Sequence, residues 1–434
     1  MRKARVLHHP IWLVLTAALY TAGMWLYVQR VLVPHQIADA AATGRPRGNL
    51  SDLYPRWVGA RELLLHGRDP YSPEVTREIQ AGYYGRPLDP DRPEDPKDQQ
   101  GFAYPVYVVF LLAPTLSFPF AVVQRVFWWV LLALTAASIP LWLRVLRWTL
   151  PVWAKAALII LTLGSFAVVQ GLKLQQISLL VAALIPIAIA LLVTDHPIPA
   201  GILLALATIK PQLVWLLLLW LGLWTLGDWR RRHRWALSFL TTMAIFFLAA
   251  EIWLPHWIAR FWQAVHAYRS YSDAVPLLDK LIPPPWSRLP ELAVLIAAAY
   301  VGWRHRRFAA DTEAFASGVG LMLASTLLLV PTYAPYNQVL LIPAVLLLAR
   351  EREAIWQRTV ARFLWIVVAI LLGWPWLAAA ALAVLSFLWP AYAVEKLWVL
   401  PAWTVLTFPV GVVALMLLRS FQKPFIGPAD PSTS

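Results

Sequence analysis

Cysteine is absent from the 434-residue sequence, which therefore holds no disulfide, no iron–sulfur cluster and no thiolate metal site. Charged residues are also scarce. Asp, Glu, Lys and Arg together make up 14% of the chain, whereas a typical soluble domain has about 25%. Hydrophobic residues make up 60%. This composition excludes a soluble globular enzyme and an intrinsically disordered chain.

The short motifs of several enzyme classes are missing as well. The sequence has no His-Glu-x-x-His pattern, no phosphate-binding P-loop and no Gly-x-Ser-x-Gly, and its nine histidines are scattered. These absences argue against a zinc protease and an ATP-driven pump. The net charge of +14 is typical of a membrane protein with Lys and Arg on its cytoplasmic loops, so we expect no nucleic-acid partner.

Apolar runs of about 20 residues recur along the whole sequence, which predicts an all-α polytopic membrane protein. The first run, at about 11–33, follows Arg2, Lys3 and Arg5. It could belong to a signal peptide, but it is long and no small-x-small cleavage site is evident, so we expect a retained helix. Twelve spans are predicted, at about 11–33, 121–145, 153–169, 174–193, 198–209, 212–227, 235–253, 289–303, 312–330, 336–349, 361–388 and 397–418.

Basic clusters give the predicted orientation, because Lys and Arg collect on the cytoplasmic side of a membrane. Residues 34–120 then form a first extracytoplasmic loop and 254–288 a second, within a single transmembrane domain, 1–434. The stretch 104–117 is predicted to be a non-crossing interfacial or re-entrant helix, because a crossing there would move every later basic cluster outside. Residues 54–66 suit a helix lying in the interface. The clusters are Arg2/Lys3/Arg5, Arg144/Arg147/Lys155, Arg230/Arg231/Arg232/Arg234, Arg304/Arg306/Arg307, Arg350/Arg352/Arg358/Arg362 and Arg419/Lys423.

Two of these regions are irregular. The stretch 361–388 is interrupted by Gly373-Trp374-Pro375 and forms either one span or two half-spans. The short spans 198–209 and 212–227 meet at Lys210-Pro211, as broken helices do beside a cavity. A lysine near membrane depth costs roughly 2.5–3.5 kcal/mol unless it is paired or near water. Lys210 is therefore either a ligand of a lipid phosphate or a snorkelling structural lysine.

Two aspartates of the first loop are candidate functional residues. Asp52 directly precedes the predicted helix at 54–66. Its carboxylate could act as a general base toward a hydroxyl, or Ser51 or Asp52 could cap the helix. Asp69 lies in Gly-Arg-Asp-Pro-Tyr, a pattern that is also typical of a plain turn.

Further polar residues lie at predicted outer ends of spans and in the second loop. Gln175, Gln176 and Ser178 could bind sugar hydroxyls or join helices by hydrogen bonds. Arg269 could bind a phosphate or be a solvated loop residue. A last set, at 333–338, resembles a carbohydrate-binding group and consists of Tyr333, Tyr336, Asn337 and Gln338. Tyrosines are, however, also common at membrane interfaces.

Several of these segments follow one another in a recognisable order. They are Asp52-Leu53-Tyr54, Gly59-Ala60-Arg61, Gly67-Arg68-Asp69-Pro70-Tyr71, Phe102-Ala103-Tyr104-Pro105, Gln176 at the start of a span, Ala200-Gly201 and Lys210. Together they resemble glycosyltransferase family 87, the polyprenol-phosphate-mannose-dependent mannosyltransferases of the GT-C superfamily, over roughly residues 50–350. Two motifs are altered: the family's Gly-Gln-x-Asn keeps only Gln176, and Pro211 directly follows the lysine of Lys-x-x-Pro.

The resemblance implies the GT-C fold, with interfacial helices in the first outer loop, and an outward-facing site. It also implies a lipid-phosphate-linked sugar donor and inversion at the anomeric carbon, and it maps the family's catalytic aspartate onto Asp52. Lys210 and Arg269 are then expected to bind the donor phosphate. The residues expected to contact sugar or acceptor are Asp69, Tyr71, Tyr104, Gln176, Tyr336 and Asn337.

The predicted enzyme transfers a hexose, with mannose the family's usual sugar, from a polyprenyl phosphate to a lipid or glycan acceptor. A phosphate monoester is already a reasonable leaving group, so we expect no metal and no cofactor. The expected partners are the donor, the acceptor and the lipids of a cell (plasma or inner) membrane. Alternatives are a lipid-linked-saccharide ligase or polymerase with a diphosphate donor and, with less support, a lipid-saccharide transporter, which would usually need internal repeats.

Overall fold

The computed structural model describes residues 10–44, 46, 51–89, 91–272 and 275–422. Within these ranges the backbone forms helices and connecting segments, and no β-strand. The all-helical membrane fold predicted from composition is therefore confirmed. Arg2, Lys3, Arg5 and Lys423, which belong to two of the predicted cytoplasmic clusters, lie outside the described residues.

The first helix is longer than its predicted span. Helix α1 (Pro10–Tyr27) continues through a π-helical turn (Val28–Leu32) into α2 (Val33–Ala42). Hydropathy falls at His35 and beyond, which ended the predicted span. The backbone stays helical because the segment up to Ala42 is rich in alanine, the strongest helix former. The helix thus extends well into the range predicted to be loop.

Three short helices build the polar region that follows: α3 (Tyr54–His66), α4 (Pro73–Tyr84) and α5 (Val108–Leu112). The predicted helix at 54–66 is confirmed. The stretch 104–117 holds only α5 and a 3₁₀ turn (Ala113–Thr115), which is far too short to cross a hydrocarbon core of about 30 Å.

Helix α3 is buried over more than one face. Leu65 is 59% exposed, whereas Val58, Ala60 and Leu63 are buried. Helices α4 and α5 both pack against α3, so other helices of the protein cover part of the surface that was predicted to face a membrane interface.

The middle of the chain runs back and forth in helices joined by short connections. Helices α7 and α8 are bent by 55° at their junction. The helices are α6 (Phe120–Val145), α7 (Val152–Leu163), α8 (Phe166–Lys173), α9 (Ile177–Val193), α10 (Pro197–Ala207), a 3₁₀ turn (Pro211–Leu213), α11 (Trp215–Gly227) and α12 (Trp229–Trp253).

The C-terminal half continues in the same way. Of the two alternatives for 361–388, the structure has one continuous helix, α19, which contains Pro375. The elements are α13 (Trp257–Tyr271), α14 (Leu277–Leu281), α15 (Arg288–His305), α16 (Glu313–Leu329), a 3₁₀ turn (Pro335–Leu341), α17 (Ile342–Arg350), α18 (Arg352–Trp356), α19 (Thr359–Leu388), α20 (Ala391–Glu395), a 3₁₀ turn (Leu400–Ala402) and α21 (Thr407–Gln422).

Within the described ranges, five segments are long and apolar enough to cross a membrane, or six if the bent pair α7–α8 counts as one span. The five are Ile11–Ala42, Phe120–Val145, Trp229–Trp253, Thr359–Leu388 and Ala391–Phe421. The other predicted spans form shorter apolar helices or α15. By length and composition alone, fewer than the twelve predicted spans can therefore cross a membrane. Helix α15 carries three charged residues, Arg288, Glu291 and Arg304, and the other helices are too short.

Helices α9 and α16 lie at the centre of this assembly. Most residues of both helices are buried on every side, as expected for helices that are apolar all round. The N-terminal end of α9 and the C-terminal end of α16 face the polar loops. The polar residues that flank these two ends are thereby brought together.

Candidate active site

A polar cavity of about 310 Å³ opens where the first loop, the second loop and the ends of several apolar helices meet. Seven of the nine predicted site residues line it, although they come from distant parts of the sequence. They are Asp52, Tyr104, Gln176, Lys210, Arg269, Tyr336 and Asn337. Asp69 and Tyr71 are not among its lining residues.

Asp52 lies in the turn before α3. Its backbone N–H donates to the carbonyl oxygen of Leu174 (2.8 Å), which holds the turn against the start of α9. Leu53 is the N-cap residue of α3, and no side chain caps that helix. The Asp52 carboxylate is therefore not engaged as a cap, and its Oδ2 accepts a hydrogen bond from Nε2 of Gln176.

A chain of hydrogen bonds leads from this carboxylate to a buried ammonium group. Oε1 of Gln176 accepts from Nζ of Lys210 (3.1 Å), and the same Nζ donates to Oγ of Ser178 (2.6 Å). Oγ of Ser178 in turn donates to Oδ1 of Asn337 (2.9 Å). A glutamine suits the middle position because its amide offers a donor to the acid and an acceptor to the cation.

Lys210 lies between α10 and α11, where Pro211 interrupts the helical path. The lysine is 7% exposed, and its Nζ lies 5.2 Å from the centre of the Tyr336 ring and 5.9 Å from that of Tyr104. A snorkelling lysine would reach out to the surface. Lys210 instead stays buried beside the cavity among polar and aromatic partners.

The charges around Asp52 affect its protonation. Burial raises the pKa of Asp52, and the positive charges of Arg56 and Lys210 partly oppose this effect. The negative charge of Asp98 adds to the increase. A carboxylate with a raised pKa binds a proton more tightly than an exposed one, and this is the property that a general base requires.

Arg56 and Asp98 also line the cavity, although neither was a candidate from sequence. Nη1 of Arg56 donates to the main-chain oxygen of Asp52 (2.9 Å). A usable signal for Arg56 was its position four residues after Asp52, in the first turn of the predicted helix at 54–66. Asp98 lies in a Pro- and Asp-rich loop, where nothing local distinguishes it from Asp91 or Asp95.

Asp69 and Tyr71 do not line the cavity themselves but hold segments next to it in place. Oδ1 of Asp69 accepts from the backbone N–H of Tyr71 (2.9 Å), and Oδ2 forms an ion pair with Arg260 of α13. The Tyr71 hydroxyl donates to the main-chain oxygen of Tyr104 (2.7 Å). Asp69 thus stabilises its own turn and ties the first loop to the second. A contact of either residue with sugar or acceptor stays a prediction.

The remaining predicted residues differ in how deeply they lie. Asn337 is 3% exposed and belongs to the 3₁₀ turn after α16, as does Tyr336. Arg269 is exposed on α13 at the rim of the cavity. Among the residues that the structure describes, no three His, Asp or Glu side chains are grouped closely enough to hold a metal ion.

A second, apolar cavity of about 570 Å³ lies next to the polar one. Its lining includes Trp365 and Phe408 together with many aliphatic side chains. The hydroxyl of Tyr333, a residue of the polar cavity, donates to the main-chain oxygen of Val405 (2.7 Å) and accepts from Nε2 of Gln338 (2.6 Å). Val405 and Gln338 line the apolar cavity, so these three residues form a shared wall.

Fold and site together define a polytopic membrane protein with a partly buried acid and a buried lysine in one polar cavity. The family model for glycosyltransferase family 87 matches residues 102–331, which is more than half of the chain. The chain belongs to glycosyltransferase family 87, and it is therefore a glycosyltransferase. The matched range includes Tyr104, Gln176, Lys210 and Arg269, and it begins after Asp52. No curated protein and no solved structure matches the chain.

Proposed function

We propose that the protein transfers a hexose, with mannose the first candidate, from a polyprenyl-phosphate-linked donor to a lipid or glycan acceptor. The reaction is metal-independent and inverts the anomeric carbon. The observation that carries this proposal is the hydrogen-bonded path from the partly buried Asp52 carboxylate through Gln176 to the Lys210 ammonium. It puts a candidate base and a candidate phosphate ligand in one cavity.

In the proposed mechanism Asp52 takes the proton of an acceptor hydroxyl. The hydroxyl oxygen attacks C1 of the sugar, and the bond between C1 and the phosphate oxygen breaks with its electron pair going to the phosphate. Lys210 stabilises the negative charge that develops on this leaving group. The carboxylate of Asp52 also stabilises the oxocarbenium character of the transition state. Arg269, at the rim, is the second predicted phosphate ligand.

The apolar cavity supports a lipid-linked donor. A polyprenyl phosphate combines a charged head with a long hydrocarbon chain, and it therefore needs a polar and an apolar compartment side by side. The wall formed by Tyr333, Gln338 and Val405 separates two cavities of these kinds. A water-soluble donor, such as a nucleotide sugar, has no hydrocarbon chain that would occupy the apolar cavity.

The decisive experiment is transfer of label from radioactive polyprenyl-phosphate mannose to a membrane lipid extract by the purified enzyme, with EDTA present. We expect transfer by the wild type and none by Asp52→Asn, because an amide cannot accept the hydroxyl proton. Donor binding by Asp52→Asn should remain measurable, since the amide keeps the size of the side chain.

The matched control is Asp91→Asn, which changes an exposed aspartate of the same loop outside the cavity lining. It should transfer like the wild type. Turnover by Asp52→Asn at the wild-type rate would contradict the assignment of the base. Transfer that requires a diphosphate donor would favour the ligase or polymerase, and no transfer from several lipid-linked sugars would favour the transporter.

A further inference from the structure

Arg56 has more hydrogen-bond donors than the protein uses. A guanidinium group carries five N–H bonds. Nη1 donates to the main-chain oxygen of Asp52 (2.9 Å). Nε is buried and has no hydrogen-bond partner among the described residues. Buried donors are almost always paired in proteins, so an unused one beside a cavity indicates a group that binds there.

The guanidinium is oriented by an aromatic ring that it shares with Lys210. Its central carbon lies 4.4 Å from the centre of the Tyr104 ring, and Nζ of Lys210 lies 5.9 Å from the same point. Both cations therefore border one stretch of the cavity wall. Nζ of Lys210 has three N–H bonds and uses two of them, on Gln176 and Ser178.

The charges of the cavity require more than one cation for an anionic ligand. Asp52 and Asp98 both line the cavity, and their carboxylates repel a phosphate. A sugar phosphodiester carries one negative charge, and the phosphate monoester that leaves can carry two. Lys210 alone cannot balance both carboxylates and the leaving group. The planar fork of an arginine is well suited to two phosphate oxygens at once.

Arg56 and Arg269 differ in burial. Arg269 is exposed at the rim of the cavity, where water screens its charge. Arg56 is partly buried in the cavity wall, and its side chain donates a hydrogen bond to the main-chain oxygen of Asp52, the candidate base. A charge-assisted hydrogen bond from such a site is stronger than one from the surface.

We propose that Arg56, together with Lys210, binds the donor phosphate and stabilises the second negative charge that it gains as the bond to C1 breaks. This inference rests on the proposed function. It assigns the deeper half of the phosphate site to a residue of the first loop, four positions after the candidate base. Substrate binding then satisfies the donors that the free protein leaves unused.

Binding of farnesyl phosphate and of farnesol to purified protein tests the proposal without requiring turnover. In Arg56→Gln the affinity for farnesyl phosphate should fall about tenfold or more, because a charge-assisted hydrogen bond is lost. The affinity for farnesol, which has no phosphate, should not change. Arg56→Lys keeps the charge without the fork and should fall between the wild type and Arg56→Gln.

The matched control is Arg61→Gln on the same helix. Arg61 pairs with Glu62 and lies outside the cavity lining, so its removal should leave both affinities as in the wild type. The pH dependence of binding separates a phosphate ligand from a structural residue. Wild-type affinity should rise as the phosphate loses its second proton near a pKa of about 6, and this rise should shrink in Arg56→Gln.

Either of two outcomes would overturn the assignment of Arg56. One is unchanged farnesyl phosphate binding in Arg56→Gln, and the other is an equal loss of affinity for farnesyl phosphate and farnesol. If either occurs while the wild type still transfers label from the polyprenyl-phosphate sugar, only the role of Arg56 fails. If the wild type neither transfers label nor binds farnesyl phosphate, the proposed function fails with it.

Discussion

The carboxyl group of Asp52 is partly buried and lies near two cations and one further acid. Its raised pKa has a functional consequence, since only the ionised form can accept a proton. We expect kcat/KM to fall on the acid side as the pH drops through this pKa. Asp98→Asn removes a negative charge that raises the pKa of Asp52, so the acid limb should move to lower pH.

The pH profile of kcat/KM for wild type, Asp98→Asn and Asp91→Asn measures this effect. Asp91 is exposed in the same loop, and its variant should keep the wild-type profile. An acid limb that stays in place or moves to higher pH in Asp98→Asn would show that Asp98 does not act on Asp52. The maximal rate need not change, because Asp98 makes no hydrogen bond to Asp52 or Lys210 among the described contacts.

The functional role of a single residue could be predicted where a polar or charged side chain stands in an otherwise apolar segment. A lysine between two apolar helices and a pair of glutamines at the start of another are unusual, and Lys210 and Gln176 were predicted on that basis. Arg56 lies on a short polar helix and Asp98 in a polar loop, where such side chains are common. Only the folded chain shows that both reach the same cavity.

At the scale of elements, the sequence indicated where most helices lie but not how they dock. The sequence predicts one cytoplasmic basic cluster at Arg230, Arg231, Arg232 and Arg234. In the structure Arg232 alone of these four is buried, and it donates to main-chain oxygens at the ends of α11 and α15, including those of Trp224 (2.5 Å) and Arg306 (2.6 Å). This docking depends on helices that are far apart in the chain.

Gly201 shows why one position of the family pattern needs the smallest residue. A Cβ atom at this position would lie 2.4 Å from the main-chain oxygen of Trp235 and 2.8 Å from the main-chain nitrogen of Phe239. Helices α10 and α12 therefore approach each other backbone to backbone. Small residues allow such close packing between membrane helices.

Gly201→Ala should force α10 away from α12 and destabilise the fold by about 1–3 kcal/mol, the usual cost of overpacking. The thermal unfolding of the detergent-solubilised protein, followed by tryptophan fluorescence, measures the change. Gly222→Ala on α11 is the matched control, because a Cβ there meets nothing within 4 Å. Alanine also favours a helix by about 1 kcal/mol over glycine. Equal unfolding temperatures for the two variants would contradict the close approach at Gly201.

At the scale of the whole molecule, composition and hydropathy predicted an all-helical membrane protein. They did not predict the long-range contacts that bring the site together. The ion pair between Asp69 and Arg260 joins the first loop to α13, and the Tyr71 hydroxyl holds the segment that contains Tyr104. Neither contact has a local sequence signal. The position of the apolar cavity beside the polar one depends in the same way on the shared wall at Tyr333 and Gln338.

The orientation of the molecule can be tested because the chain has no cysteine. An introduced cysteine is then the only thiol, and a membrane-impermeant maleimide reports its side of the membrane. Glu94→Cys lies in the first loop, four residues before the cavity-lining Asp98, and Arg231→Cys lies in the first turn of α12; both positions are exposed. Positive charge collects on the cytoplasmic side, so Glu94→Cys should react in intact cells and Arg231→Cys only after permeabilisation.

The cysteine-free parent is the control for unspecific reaction and should stay unlabelled before and after permeabilisation. Labelling of both variants after permeabilisation shows that each thiol is accessible, so a missing signal in intact cells reports the membrane barrier. Reaction of Arg231→Cys alone in intact cells would put the polar cavity on the cytoplasmic side. The acceptor would then have to be a cytoplasmic one, and the extracytoplasmic orientation predicted from the basic clusters would be wrong.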